Sequence, residues 1–173
     1  MKREVSGTMK HYEAHWSTSL VFMSIFTTVI LLGVTAVMWW EAATQPQAAM
    51  LRWVSLLPLS ILFGCALYTV RGYAIASDAI LVHRLLWSTT LPRTGLESAT
   101  VDPDAMRSGL RTFGNGGAFS FSGFYYSKRL GSYRAFVTDR RRTVVLRYTD
   151  RRIVLSPAVP EEFVSDLALS KQA

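Results

Sequence analysis

The reading of the fold turns on residues 135–155: Ala135-Phe136-Val137-Thr138-Asp139-Arg140-Arg141-Arg142-Thr143-Val144-Val145-Leu146-Arg147-Tyr148-Thr149-Asp150-Arg151-Arg152-Ile153-Val154-Leu155. A Thr-Asp-Arg-Arg cluster begins at Thr138 and returns eleven residues later at Thr149, each time followed by an apolar, β-branched run. Ala135 and Val137, then Val144, Leu146 and Tyr148, then Ile153 and Leu155 alternate with more polar neighbours. Polar clusters between runs of period two predict a three-strand meander with two hairpin turns. With only two copies of the cluster, this is not a long-period repeat fold.

Working outward, the same character extends upstream. Tyr73–Ala76 and Ala79–Arg84 read as two strands across a tight turn at Ser77-Asp78. Leu91-Pro92 interrupts the pattern, Leu96–Val101 resumes it, and Asp102-Pro103-Asp104 is a turn signal. A glycine-rich segment runs from Gly114 to Gly123. Downstream, Pro160 suits a first helical position, and Glu161 and Glu162 complement the positive end of a helix dipole. Phe163 with Leu167 and Val164 with Ala168 form an apolar face four residues apart. Antiparallel strands plus one C-terminal helix predict a small β-sandwich or half-open barrel, with the helix plugging one end.

Particular residues carry a resemblance. Arg111-Thr112-Phe113-Gly114-Asn115-Gly116-Gly117, Gly123-Phe124-Tyr125-Tyr126, Leu130-Gly131-Ser132-Tyr133, Thr138, Val145 and Ser156-Pro157 through Pro160-Glu161-Glu162-Phe163 resemble the bacterial pleckstrin-homology (PH) domain family. The resemblance covers residues 72–170. It implies a PH-like fold of seven strands in two nearly orthogonal sheets with one capping helix. It implies lipid or protein binding and no general enzymatic activity. Family members often follow a pair of transmembrane helices. In eukaryotic PH domains that bind phosphoinositides, the first hairpin loop is basic. Here that loop is Ala76-Ser77-Asp78-Ala79, short and slightly acidic, so that site is not carried over.

The rest of the chain is apolar. Of 173 residues 50% are hydrophobic and 18% charged, and the mean hydropathy is +0.20. This excludes a disordered, collagen-like or disulfide-stapled class, since Cys65 is the single cysteine. From Ser17 to Trp40 there are 24 positions without a charge. That exceeds the ~20 residues a bilayer core requires and is too long and too far in for a signal peptide. A second uncharged stretch, Trp53 to Val70, has 18 positions with Pro58 inside it. Trp16, Trp39, Trp40, Trp53 and Tyr73 flank the two stretches like an interfacial belt. The expected organisation is an N-terminal segment 1–16, a transmembrane helical hairpin 17–71 with spans 17–40 and 53–70, and a domain 72–170.

Topology follows from charge. Lys2, Arg3 and Lys10 precede the first span, and Arg71, Arg84 and Arg93 follow the second, whereas the intervening loop carries Glu41 and only Arg52 at its edge. The positive-inside rule predicts a multi-pass protein of the cytoplasmic (inner) membrane with both termini cytoplasmic. Ser17, Ser24, Thr28 and Thr35 fall on one face of the first span, and Ser60 and Gly64 make a small-xxx-small pair in the second. Helix packing is the expected use of both. A polar conduit in an oligomeric pore or transporter accessory subunit is the alternative.

The formal net charge is +7, and residues 71–173 contribute +6 of it. Lys128, Arg129, Arg140, Arg141, Arg142, Arg151 and Arg152 sit in expected turns, within reach of a membrane surface. There each basic group is worth ~1 kcal/mol against anionic headgroups. These seven are the candidate contacts for anionic lipid or a partner. A protein partner or a second copy is the other expected occupant, and nucleic acid is not expected, because no recognition motif is present. No metal, cofactor or catalytic residue is expected. His11 and His15 have a helical metal-ligand spacing but no third ligand nearby, Gly114–Gly117 lacks the Gly-Lys-Ser/Thr of a phosphate loop, and no Ser elbow exists.

Overall fold

The computed structural model describes residues 9–45 and 50–169. A strand, β1 (Lys10–Glu13), precedes a long apolar helix, α1 (Thr18–Thr44), and two shorter helices, α2 (Leu51–Val54) and α3 (Leu56–Leu67). Then come β2 (Gly72–Ile75), β3 (Ala79–His83), β4 (Ser88–Pro92), β5 (Leu96–Val101), β6 (Leu110–Gly116), β7 (Phe121–Ser127), β8 (Gly131–Val137), β9 (Val144–Tyr148) and β10 (Arg152–Leu155), closed by α4 (Pro160–Leu169). The strands form one sheet in the order β1-β2-β3-β4 and a second in the order β5-β9-β10-β8-β7-β6.

Two apolar clusters explain why the chain folds this way. The first lies between the sheets, where Tyr73, Ile80 and Val82 meet Phe136, Leu146 and Leu155, and Phe163 and Leu167 of α4 close the end. The second covers the other face of the six-stranded sheet and joins Ala135, Val137, Val145 and Val154 to Met106, Leu130 and Leu20 of α1. Strands β8 to β10 are therefore buried on both faces. That is why they carry unbroken runs such as Val144-Val145-Leu146 rather than a strict polar alternation.

Three expectations are corrected. Among the described residues ten strands form, not seven, because β1 lies upstream of the expected domain and the glycine-rich segment contributes to a full hairpin, β6–β7. The hairpin β9–β10 is present. Its partner is not: β8 pairs with β10 in parallel register, Arg134 opposite Ile153 and Phe136 opposite Leu155. Residues 138–143 are thus a connection that carries the chain past β10 rather than a hairpin turn. Alternation specifies a strand and its faces, but not the neighbour it pairs with.

The residues expected to stand apart as an N-terminal segment include a strand of the domain. β1 pairs antiparallel with β2, Lys10 opposite Ile75 and Glu13 opposite Gly72. Tyr12 packs edge-on against Phe163, with ring centroids 5.0 Å apart. Beyond β1 the chain crosses to the other sheet. Ala14 bridges Pro157, and the Ala158 amide donates to the Glu13 carbonyl at 2.9 Å.

Among the described residues α1 is the one helix long and apolar enough to cross a membrane, at 27 residues. That is about 40 Å at ~1.5 Å per residue. The second apolar stretch is helical only from Leu51 to Leu67 and is interrupted at Ser55. Pro58 accounts for the break. It has no amide to offer the Val54 carbonyl, and its ring crowds that carbonyl. α2 and α3 both pack against α1, so the two apolar stretches form a helical hairpin.

Candidate functional site

The basic residues singled out in the sequence fall into two groups at opposite ends of β8. The first is the connection bearing Arg140, Arg141 and Arg142. Ser17, the N-cap of α1, donates its amide to the Thr138 carbonyl at 3.2 Å, and Thr138 Oγ1 donates to the His15 carbonyl at 2.8 Å. The basic connection is thereby held beside the first turn of the apolar helix. Arg140 and Arg141 line a groove of about 920 Å³ together with His15, Ser17 and Thr18. Arg140 is fixed by a bond from Nη2 to the Met106 carbonyl at 2.7 Å, and Arg142 Nη1 donates to the Ala158 carbonyl at 3.0 Å. The Arg141 amide donates to Asp139 Oδ1, which leaves its side chain exposed at the tip.

The second group lies at the far end of the strand, roughly 20 Å away at ~3.3 Å per residue. Lys128 and Arg129 are in the β7–β8 turn, and Arg151 and Arg152 adjoin the β9–β10 turn. Arg129 is ion-paired with Asp102 at 2.7 Å, and Arg152 Nη1 is spent on the Leu130 carbonyl at 2.6 Å. Arg151 stacks on Tyr148 with its guanidinium 5.0 Å from the ring centroid. The fold therefore does not assemble the seven residues into one patch.

The polar stripe of α1 is engaged. Thr28 and Thr35 donate to carbonyls one turn back, at 2.7 and 2.8 Å. Ser24 Oγ donates to the Leu20 carbonyl and accepts from the Phe119 amide at 2.9 Å, so it docks the tip of the β6–β7 hairpin onto the helix. The hairpin needs its glycines. Gly114 and Gly123 face each other with φ of +112° and +146°, and a Cβ on Gly123 would come within 2.2 Å of the Phe113 carbonyl oxygen. The glycine-rich run thus serves close backbone approach rather than a phosphate.

Sequence reasoning missed a cleft of about 480 Å³ between α3 and the open end of the six-stranded sheet. One wall is Ile61, Gly64 and Cys65, the other is Phe113, Phe124 and Phe136, and Arg84 and Arg134 point into it. Both guanidiniums lie over the Phe136 ring, at 5.1 and 4.8 Å from its centroid. Arg84 is 94% buried, held by Nη1 to the Tyr68 carbonyl at 2.7 Å and Nε to Thr89 at 3.2 Å. Among the described residues no carboxylate pairs with either arginine. Burial first, and then the charge of Arg134, push the Arg84 pKa down. The signal in the sequence was faint, since the two arginines are isolated, Arg84 in the β3–β4 turn and Arg134 in β8.

The helical spacing of His11 and His15 does not apply, because His11 lies in β1 and His15 beyond its end. The His11 ring instead stacks on His83 at 5.7 Å. Among the described residues no group of three or more His, Cys, Asp and Glu is placed to hold a metal ion.

Two packed β-sheets capped by a C-terminal helix, following a long apolar helix, make this a mainly-β domain joined to a helical segment. Residues 71–170 match the bacterial PH domain family, and the chain belongs to it. No curated protein and no solved structure matches the chain. Domains of this family are generally binding modules.

Proposed function

We propose that the chain is a multi-pass protein of the bacterial cytoplasmic membrane. In this reading its PH-like domain rests on the inner leaflet as a non-enzymatic binding module. Arg140, Arg141 and Arg142 are its contacts with anionic headgroups. One observation carries the proposal: the Ser17–Thr138 contact ties the basic connection to the first turn of the apolar helix. That turn is where an entering helix meets the headgroup layer, and basic side chains there gain ~1 kcal/mol each. The pairing of β1 with β2 supports the hairpin topology, because the chain leaves the domain at α1 and returns to the same sheet after α3. Lys2, Arg3, Lys10 and Arg71 favour the cytoplasmic side for that end.

The test is hydrogen exchange on the full chain in nanodiscs of neutral and of anionic lipid. Amides of residues 138–143 exchange more slowly in anionic discs, and Arg140→Glu with Arg141→Glu removes the difference. Equal exchange in both lipids overturns headgroup contact and turns attention to a protein partner or a second copy.

A further inference from the structure

We propose that the cleft between α3 and the six-stranded sheet is a binding site for one anionic phospholipid, its phosphate between Arg84 and Arg134 and an acyl chain along α3. Two positive charges over one aromatic ring, with no carboxylate partner among the described residues, form an arrangement that an anion completes. Charge-assisted bonds from guanidinium to phosphate are the strong class of hydrogen bond. Arg84 is already positioned for this, because Tyr68 and Thr89 occupy Nη1 and Nε respectively and leave Nη2 for a ligand. A free anion would satisfy the arginines and leave the rest of the site wet. Phe113 and Phe124 are 76% and 53% exposed, and the facing wall is the end of an apolar helix. Apolar surface of this extent marks a binding face. Its continuity with α3 makes the surrounding leaflet the source of the occupant. The volume of about 480 Å³ lies within the range of small-molecule sites. Gly64 keeps the groove open, since nothing lies within 4 Å of where its Cβ would be. The inference rests on the membrane reading above, but not on the Arg140–Arg142 connection.

The experiment is native mass spectrometry of the full chain released from nanodiscs of phosphatidylcholine with a minor share of phosphatidylglycerol. The wild type retains one phosphatidylglycerol in preference to phosphatidylcholine. Arg134→Gln alters an exposed side chain, and Gly64→Leu fills open space, so two independent variants test the site without disturbing the buried Arg84. Each lowers lipid occupancy roughly tenfold, the loss expected for one charge-assisted bond or a blocked chain. Arg140→Gln with Arg141→Gln separates the cleft from the headgroup contacts, and Arg147→Gln, at an exposed arginine outside the cleft, leaves occupancy unchanged. Retention by both cleft variants overturns the proposal, as does equal retention of phosphatidylcholine or displacement of the lipid by glycerol phosphate. Loss of lipid only in the Arg140/Arg141 variant overturns the cleft while leaving the headgroup reading intact.

Discussion

At the scale of single residues, polar groups buried among apolar ones define the junction between domain and helix. Tyr73 donates its hydroxyl to the Phe136 carbonyl at 2.7 Å and accepts from the Ser156 amide at 3.1 Å. Ser156 Oγ in turn accepts from the Thr138 amide at 2.8 Å, and Thr138 reaches the backbone just ahead of α1. Burial pushes the Tyr73 pKa up to about 12, so this chain of bonds keeps its proton at any physiological pH. His83 is different. Its Nε2 is buried without a hydrogen-bond partner among the described residues, and Nδ1 meets Ser88 at 2.8 Å. Burial, and then the neighbouring His11, lower its pKa from 6.5. The unfolded chain therefore binds the proton more readily than the folded one. The stability this group contributes is complete above about pH 6.5 and is lost as pH falls below it. Thermal melting of the full chain in detergent is expected at a lower temperature near pH ~5.5 than near pH ~7.5. His83→Gln should flatten that dependence, and an unchanged slope would assign it to other groups. The arginines of the cleft belong to this scale too. Neither sits in a motif, and their meaning comes from the absence of a nearby carboxylate, which no local pattern encodes.

At the scale of elements, local rules held where one segment decides its own conformation. The Pro160 helix, the Tyr73–Arg84 hairpin and the long apolar helix all formed close to where periodicity and capping put them. Pro58 shows the same local control in the second apolar stretch. Pro58→Ala restores an amide that can donate to the Val54 carbonyl and removes a clash worth ~3 kcal/mol in a helix interior. α2 and α3 should then join into one helix, read as slower hydrogen exchange across residues 54–59. If exchange stays fast, the break is imposed by packing on α1 rather than by proline. The glycine-rich segment was legible as a place of close approach. Its target was not, because Ser24 and the Phe119 amide that meet there lie 95 residues apart.

At the scale of the whole molecule, the N-terminal strand makes the helical hairpin an insertion within one folded unit. β1 covers the outer edge of β2, and Tyr12 covers Phe163 and Tyr73 in the core. A fragment of residues 72–173 therefore lacks an edge strand and part of its core. It should melt lower than the same fragment mixed with a peptide of residues 9–16, and a scrambled peptide should have no effect. Equal melting with and without the peptide would mean that β1 adds nothing to the stability of the domain. The insertion has a functional consequence. The domain is tied to its helices on both sides, by Ser17 to Thr138 and by Tyr68 to Arg84 and Ser120, so it is held against them rather than hung from a linker.

What the sequence by itself determined is what short-range physics controls. The uncharged run from Ser17, the β character beyond Arg71 and the C-terminal helix all follow from composition and periodicity within windows of a dozen residues or so, and the family of the domain shows as a resemblance carried by particular residues. Tertiary structure alone decided the partners. The parallel pairing of β8 with β10, the capture of Lys10–Glu13 by β2, the separation of Arg140–Arg142 from Arg151 and Arg152, and the meeting of Arg84 with Arg134 join residues distant in the chain. Hydrophobic burial selects those pairings because both faces of the six-stranded sheet have to be covered, and a side-chain alternation of period two is satisfied equally well by several neighbours.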